Sequence, residues 1–158
     1  MHIVAESQLD PRSLELELTE SSIMENPEAA AEVLNEIRAL GMAIAIDDFG
    51  TGYSSMSYLK LFSVNTLKVD RSFVSGVATD PHNAAMVRAM VTLAHDLNLR
   101  VVAEGIETEA ELAFLKHLQC DEGQGYFFSK PQPAGALSEM LFPVVINKSR
   151  SAVLATRG

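Results

Sequence analysis

An α/β fold with a parallel sheet is the architecture this sequence predicts, on three observations. Short β-rich segments alternate five times with amphipathic stretches, the pattern of strands joined by right-handed helical crossovers. The hydrophobic period changes at the first switch, from alternation in Leu14-Glu15-Leu16-Glu17-Leu18 to helical spacing after Pro27. Charged residues that a core would not tolerate recur at the C-terminal ends of the β-rich segments, the rim on which parallel sheets build their sites.

Leu14 to Leu18 is the first strand. Asn26-Pro27-Glu28 reads as N-cap, N1 and N2 of a helix with Ala30, Val33, Leu34, Ile37 and Leu40 on its apolar face, ended by Gly41. Met42 to Ile46 is the second strand, Tyr53 to Leu61 a short helix, and Thr66 to Val69 the third strand. Asp80-Pro81 opens a helix that turns Met86, Val87, Met90, Leu93, Ala94 and Leu97 toward the core. Arg100 to Ala103 is the fourth strand, and Thr108 with Glu111 has capping-box spacing ahead of Leu112, Leu115 and Leu118. A short fifth strand falls near Cys120 to Glu122, and Pro133 to Leu141 is a final helix. Residues 1–143 read as the domain and 144–158 as a flexible tail.

A chain of 158 residues, 47% of them hydrophobic, fits one domain with a sizeable core. No apolar run approaches the roughly 18–20 residues of a membrane span, and the first residues do not read as a signal peptide. A net charge of −9 argues against a DNA or RNA duplex as partner, which requires clustered Lys and Arg. A small phosphodiester remains compatible, because bound metal ions invert the local field. The lone Cys120 excludes an internal disulfide, fits a reducing cytoplasm and reads as a small buried side chain.

The strand ends carry the chemistry. The first strand holds Glu17, with Glu20 just after it, and the second runs into Asp47 and Asp48. The third brings Lys68 and Asp70, the fourth Glu104 and Glu107, and the fifth Glu122 and Gln124. Adjacent carboxylates at the end of an apolar strand repel one another and lose solvation, so they persist with a cation or a hydrogen-bond network. Hard divalent ions take such oxygen ligands. Single positions also have plain readings. Glu15 and Glu17 alternate with Leu and could face solvent, Asp70 with Arg71 could be a helix cap or ion pair, and tight turning accounts for Gly50 and Gly52. Those readings do not explain why five successive strand ends share this character.

Five ordered motifs resemble the EAL-domain family of cyclic di-GMP phosphodiesterases. They are Glu17-Leu18-Thr19-Glu20, Asp47-Asp48-Phe49-Gly50-Thr51-Gly52-Tyr53-Ser54-Ser55, Leu67-Lys68-Val69-Asp70-Arg71-Ser72-Phe73, Val102-Ala103-Glu104-Gly105-Ile106-Glu107, and Gln124-Gly125-Tyr126-Phe127-Phe128-Ser129-Lys130-Pro131. The resemblance implies a partial TIM-type (β/α) barrel, about five strand-helix units of a modified eight-stranded one. It also implies hydrolysis of cyclic di-GMP to linear pGpG with two Mg²⁺ or Mn²⁺ ions. By the same resemblance Glu17, Asp47, Asp48 and Glu104 are metal ligands, Asp47 lying between the ions. Lys68 orients or polarises the attacking water, and Glu104 is assigned to metal binding or general-base work. Glu107, Gln124, Asp70, Arg71 and Pro131 fall in support or near the substrate. Glu20 anchors the loop Phe49, Gly50, Thr51, Gly52, Tyr53, Ser54 and Ser55, which in the family links the metal site to the dimer surface.

The family's Glu-Ala-Leu strand, with its metal-ligand glutamate and phosphate-binding arginine, has no counterpart here, nor does the ligand asparagine of the strand after it. The expectation is an N-terminally truncated chain that is inactive alone. The alternative is a non-catalytic cyclic di-GMP-binding or dimerisation module. Five parallel strands leave two open edges, Leu14 to Leu18 and Cys120 to Glu122. The chain is therefore expected to join the remainder of its parent domain or to form a homo-oligomer.

Overall fold

The computed structural model describes residues 2–52, 59 and 62–136. Two compact units divide the chain, Met1–Phe128 and Ser129–Gly158. The first contains a five-stranded, all-parallel sheet in sequence order. Its strands are β1 (Glu15–Thr19), β2 (Ala43–Phe49), β3 (Thr66–Val69), β4 (Arg100–Ala103) and β5 (Glu122–Gly123). The helices are α1 (His2–Ser7), α2 (Glu20–Met24), α3 (Pro27–Ala39), α4 (Arg71–Val74), α5 (Pro81–Asp96) and α6 (Glu109–His117). The fold is α/β, as the alternation predicts.

Register explains how the two sheet faces acquire opposite characters. Leu18 pairs with Ile46, Leu67 with Val101 and Val69 with Ala103, which places like residues on one face. Ile44, Ile46, Leu67, Val69, Val101 and Ala103 are buried there with Leu34 of α3, Val87 and Ala94 of α5, and Leu115 of α6. The alternate residues line the other face, where Glu15, Glu17, Thr66, Lys68 and Arg100 stand among Ala43, Ala45 and Val102. In one layer the Arg100 guanidinium donates to Glu122 at 2.8 Å, Thr66 Oγ1 at 3.1 Å and Glu15 at 3.3 Å. The Thr66 hydroxyl donates to Glu15 at 2.7 Å, so four strands are tied together across this layer. Glu15 is thus not merely a solvent-facing residue.

The expected helix starts hold. Asn26 Oδ1 accepts the Ala29 N–H, Asp80 accepts from His82, and the Thr108–Glu111 capping box closes in both directions. The faces of two helices differ from expectation. Val33 and Leu40 of the α3 segment are exposed, whereas Ala31 is buried. Val33 lines an apolar groove of about 420 Å³ with Leu16, Leu18, Ala30 and Ile37 beside the edge strand β1. The helical period found the apolar side of α3, but no described element covers its flank. In α5, Met86 is 45% exposed and Val91 is buried. Its packed stripe is Val87, Met90, Val91 and Ala94, the i, i+3, i+4, i+7 set.

Asp47 and Asp48 lie within β2, which extends past the expected end at Ile46. β5 starts at Glu122, slightly later than expected. Cys120 is half-buried rather than buried, and its thiol donates to the Val101 and Glu122 carbonyls. Burial pushes that thiol up to about 11, so it remains protonated near neutrality. The expected helix Tyr53 to Leu61, apart from Leu59, and residues 137–158 of the expected last helix and tail lie outside the described residues. No helix among the described residues is long and apolar enough to cross a membrane.

Candidate metal centre

The end of β2 is irregular in a way that matters chemically. Ile46 pairs with Leu67 and Phe49 with Val69, so Asp47 and Asp48 together stand opposite Lys68 alone. This is a β-bulge, with Asp48 in the left-handed region at φ 54. Aspartate tolerates that conformation better than most residues, but it is uncommon outside glycine. In a regular strand Asp47 and Asp48 would face opposite sides of the sheet. With the bulge, oxygens of Asp47, Asp48 and Glu104 lie within 4.8 Å of one another, while Phe49 returns to the core.

Lys68, buried in β3, reaches three of the strand-end acids. Its Nζ lies 2.8 Å from Glu104 Oε1, 2.9 Å from Glu17 Oε1 and 3.2 Å from Asp47 Oδ1. Burial opposes the ammonium charge, but bonds to Glu104, Glu17 and Asp47 outweigh it and hold the pKa above the usual lysine value. Asp48 moves the other way for an acid. Burial, then repulsion from Asp47 and Asp70, raises its pKa, and Lys68 only partly opposes them. An acid pair with one member short of positive charge, offering only oxygen donors, fits a hard divalent cation. Glu17 meets Lys68 but is not part of the three-carboxylate group.

The surrounding loops are fixed by specific contacts. Buried Glu20, the first residue of α2, accepts the Gly50 N–H through Oε2 at 2.9 Å. A Cβ on Gly52 would come within 2.9 Å of Glu20 Oε1, so that loop approaches as closely as glycine permits. Thr51 closes the turn through its hydroxyl to the Asp48 carbonyl, at 2.8 Å. Asp70 caps α4 by accepting the Ser72 N–H, the cap reading of that residue. Arg71 pairs with Glu107 at 2.7 Å, and its stem packs on Gly105, whose φ of +72 and missing Cβ leave the room. Arg71, Glu104, Glu107, Gln124 and Tyr126 line a cavity of about 230 Å³ next to the carboxylates. Pro131 belongs to the second unit and is exposed. Tyr53, Ser54 and Ser55 lie outside the described residues.

Two residues that sequence reasoning did not place near this site are Gly105 and Glu111. The signal for Gly105 was its position beside Glu104, and for Glu111 only its capping-box spacing. Glu111 is buried, and its carboxylate accepts the N–H groups of Gly76, Glu107 and Thr108. Burial would raise its pKa, yet those donors prevail and hold it below the usual glutamate value. A depressed carboxyl pKa adds stability that is complete above the unfolded value and is lost as pH falls through the folded one. Urea unfolding of the wild type and Glu111→Gln is therefore expected to show a constant stability gap above about pH 5 that closes in acid. A gap that widens in acid contradicts this assignment.

A family model described as EAL domain matches residues 1–131. The bifunctional diguanylate cyclase/cyclic di-GMP phosphodiesterase MucR of Pseudomonas aeruginosa is 47% identical over 129 residues, 82% of this chain and 19% of that protein. The solved PaMucR phosphodiesterase in complex with c-di-GMP superposes with a TM-score of 0.83 at 45% identity, covering 86% of this chain and 55% of that one. The manganese/c-di-GMP complex of Klebsiella pneumoniae BlrP1 has a TM-score of 0.75 at 35% identity, covering 81% of this chain and 33% of that one. The chain spans about a fifth of the length of the curated relatives it matches.

Proposed function

The chain belongs to the EAL-domain family, and from that premise we propose that its strand ends form the carboxylate-rich part of a cyclic di-GMP phosphodiesterase site. The observation that carries this reading is the bulged end of β2, which gathers Asp47 and Asp48 with Glu104. Relatives named as phosphodiesterases support it.

In this reading Asp47, Asp48 and Glu104, with Glu17 alongside, hold Mg²⁺ or Mn²⁺. Such ions, when bound, supply Lewis acidity to the phosphodiester and lower the pKa of water. The chain's own groups do the rest. Lys68 sits among the carboxylates as a fixed donor and orients the water that attacks phosphorus. Glu104 takes a proton from that water as the water oxygen bonds to phosphorus, the phosphorus–O3′ bond breaks, and the departing O3′ takes up a proton from solvent to give linear pGpG. Arg71, held by Glu107, and Gln124 receive part of the nucleotide in the adjoining cavity. Glu20 holds the turn at Gly50 and Gly52 beside the end of β2.

The open flanks of β1 and β5 are covered, in this reading, by further strands of a barrel or by a second copy of the chain. Alone, the five strands are inactive. The substrate and the free thiol both suit the cytoplasm. Chromatography of cyclic di-GMP incubated with Mn²⁺ tests the proposal, using this chain alone and joined to the preceding strands of an EAL domain. The expected outcome is pGpG from the joined protein only. Binding without hydrolysis by the joined protein favours the non-catalytic module, and absence of both contradicts the proposal.

A further inference from the structure

We infer that Glu111 is a positioning residue, a clamp that locks the segment after β4 to the segment after α4 and so holds Glu104 and Arg71 in register. The inference rests on the reading of the strand-end carboxylates as a metal site. A capping-box glutamate ordinarily reaches back to the N–H of its own N-cap residue, which Glu111 does for Thr108 at 2.9 Å. Here the same carboxylate takes two further donors. Oε2 accepts the Glu107 N–H at 3.0 Å, and Oε1 accepts the Gly76 N–H at 2.9 Å from a position 35 residues away.

Those donors belong to the two segments that meet beside the carboxylates. Gly76, at φ +71, lies in the turn after α4, the helix that starts at Arg71. The α4 end is fixed from its other side, where the Asn83 amide donates to the Ser72 and Ser75 carbonyls. Glu107 pairs with Arg71, whose stem lies against Gly105. Glu104 is held at its own N–H by the Val69 carbonyl at 3.0 Å, and Ile106 by the Gln124 carbonyl at 3.1 Å. The segment from Glu104 to Glu107 is thus pinned to the sheet at its start and to Glu111 at its end. Without the Glu111 carboxylate, the partly buried N–H groups of Gly76, Glu107 and Thr108 lose their acceptor, and the Arg71–Glu107 contact loses its backbone support.

Two kinds of substitution separate clamping from capping. Thr108→Ala removes the side-chain cap of α6 but leaves the inter-segment bonds. Glu111→Ala removes those bonds, and Glu111→Gln keeps one oxygen but turns an amide donor toward the other N–H groups. Mn²⁺ affinity by electron paramagnetic resonance and the Glu104 side-chain carboxyl resonance in the metal-free 158-residue chain are the readouts. Glu111→Ala is expected to weaken Mn²⁺ binding about tenfold and to shift the Glu104 resonance. Glu111→Gln should do both to a smaller extent, and Thr108→Ala should lower the melting temperature while leaving both unchanged. Equal effects of Thr108→Ala and Glu111→Ala on these readouts overturn the clamp and leave a helix cap. If Glu111→Ala does not fold, Glu111→Gln decides by the same criteria. If the wild type itself binds no Mn²⁺, the metal-site reading fails, and the Glu104 resonance alone decides: no shift in the Glu111 variants overturns the clamp.

Discussion

Asp47→Asn is expected to abolish cyclic di-GMP hydrolysis in a complete domain carrying these strands, by about a thousandfold or more if metal chemistry carries several kcal/mol of the barrier. The substitution keeps the size of the side chain and removes one charge. Asp47 contributes to two features at once: it is one of three clustered carboxylates, and it lies 3.2 Å from Lys68 Nζ. Its charge is also one of the causes that raise the Asp48 pKa. Removing it therefore eases ionisation of Asp48, so lost metal binding in the variant cannot be blamed on a protonated Asp48. Product chromatography and Mn²⁺ titration check both halves. Unchanged turnover contradicts the assignment of Asp47.

Lys68→Met is expected to lower kcat by about 10²–10⁴-fold while changing nucleotide affinity little. An interaction realised in the transition state appears in the rate, whereas uniform binding appears in KM. The geometry sharpens the expectation. The ammonium is buried and bonded to Glu17, Asp47 and Glu104, so it is held by the protein before any substrate arrives. Because it occupies the same carboxylates that a cation would neutralise, its removal should leave Mn²⁺ affinity equal or stronger. Steady-state kinetics with direct nucleotide binding separates the outcomes. An affinity loss equal to the rate loss makes Lys68 a phosphate-binding residue instead.

Much of this architecture is legible in local sequence. The alternation of Leu14 to Leu18 separates an apolar sheet face from a polar one before any partner strand is known. Asn26, Asp80 and Thr108 mark helix starts because each cap is a contact within three residues. The strand-end acids are legible for the same reason, since position along a strand fixes which rim a residue reaches.

What sequence does not show depends on register or on contacts between segments distant in the chain. The bulge at Asp48 exists only as a mismatch between β2 and β3, and a period-two reading ends the strand at Ile46. The three-way pairing of Lys68 requires side chains from four strand segments to meet. α2 and α4 have five and four residues, too few for a helical period to emerge. Val33 is apolar and exposed because α3 flanks an open groove, a fact that the periodicity of α3 alone cannot contain.

Anomalous X-ray diffraction from crystals of the chain grown with Mn²⁺ tests the central claim most directly. The expected result is a manganese peak within ligand distance of Asp47, Asp48 and Glu104, with the Lys68 ammonium displaced from at least one of its carboxylate partners. Manganese bound only elsewhere, with Lys68 still on Glu17, Asp47 and Glu104, would contradict the assignment of these strand ends as a metal centre.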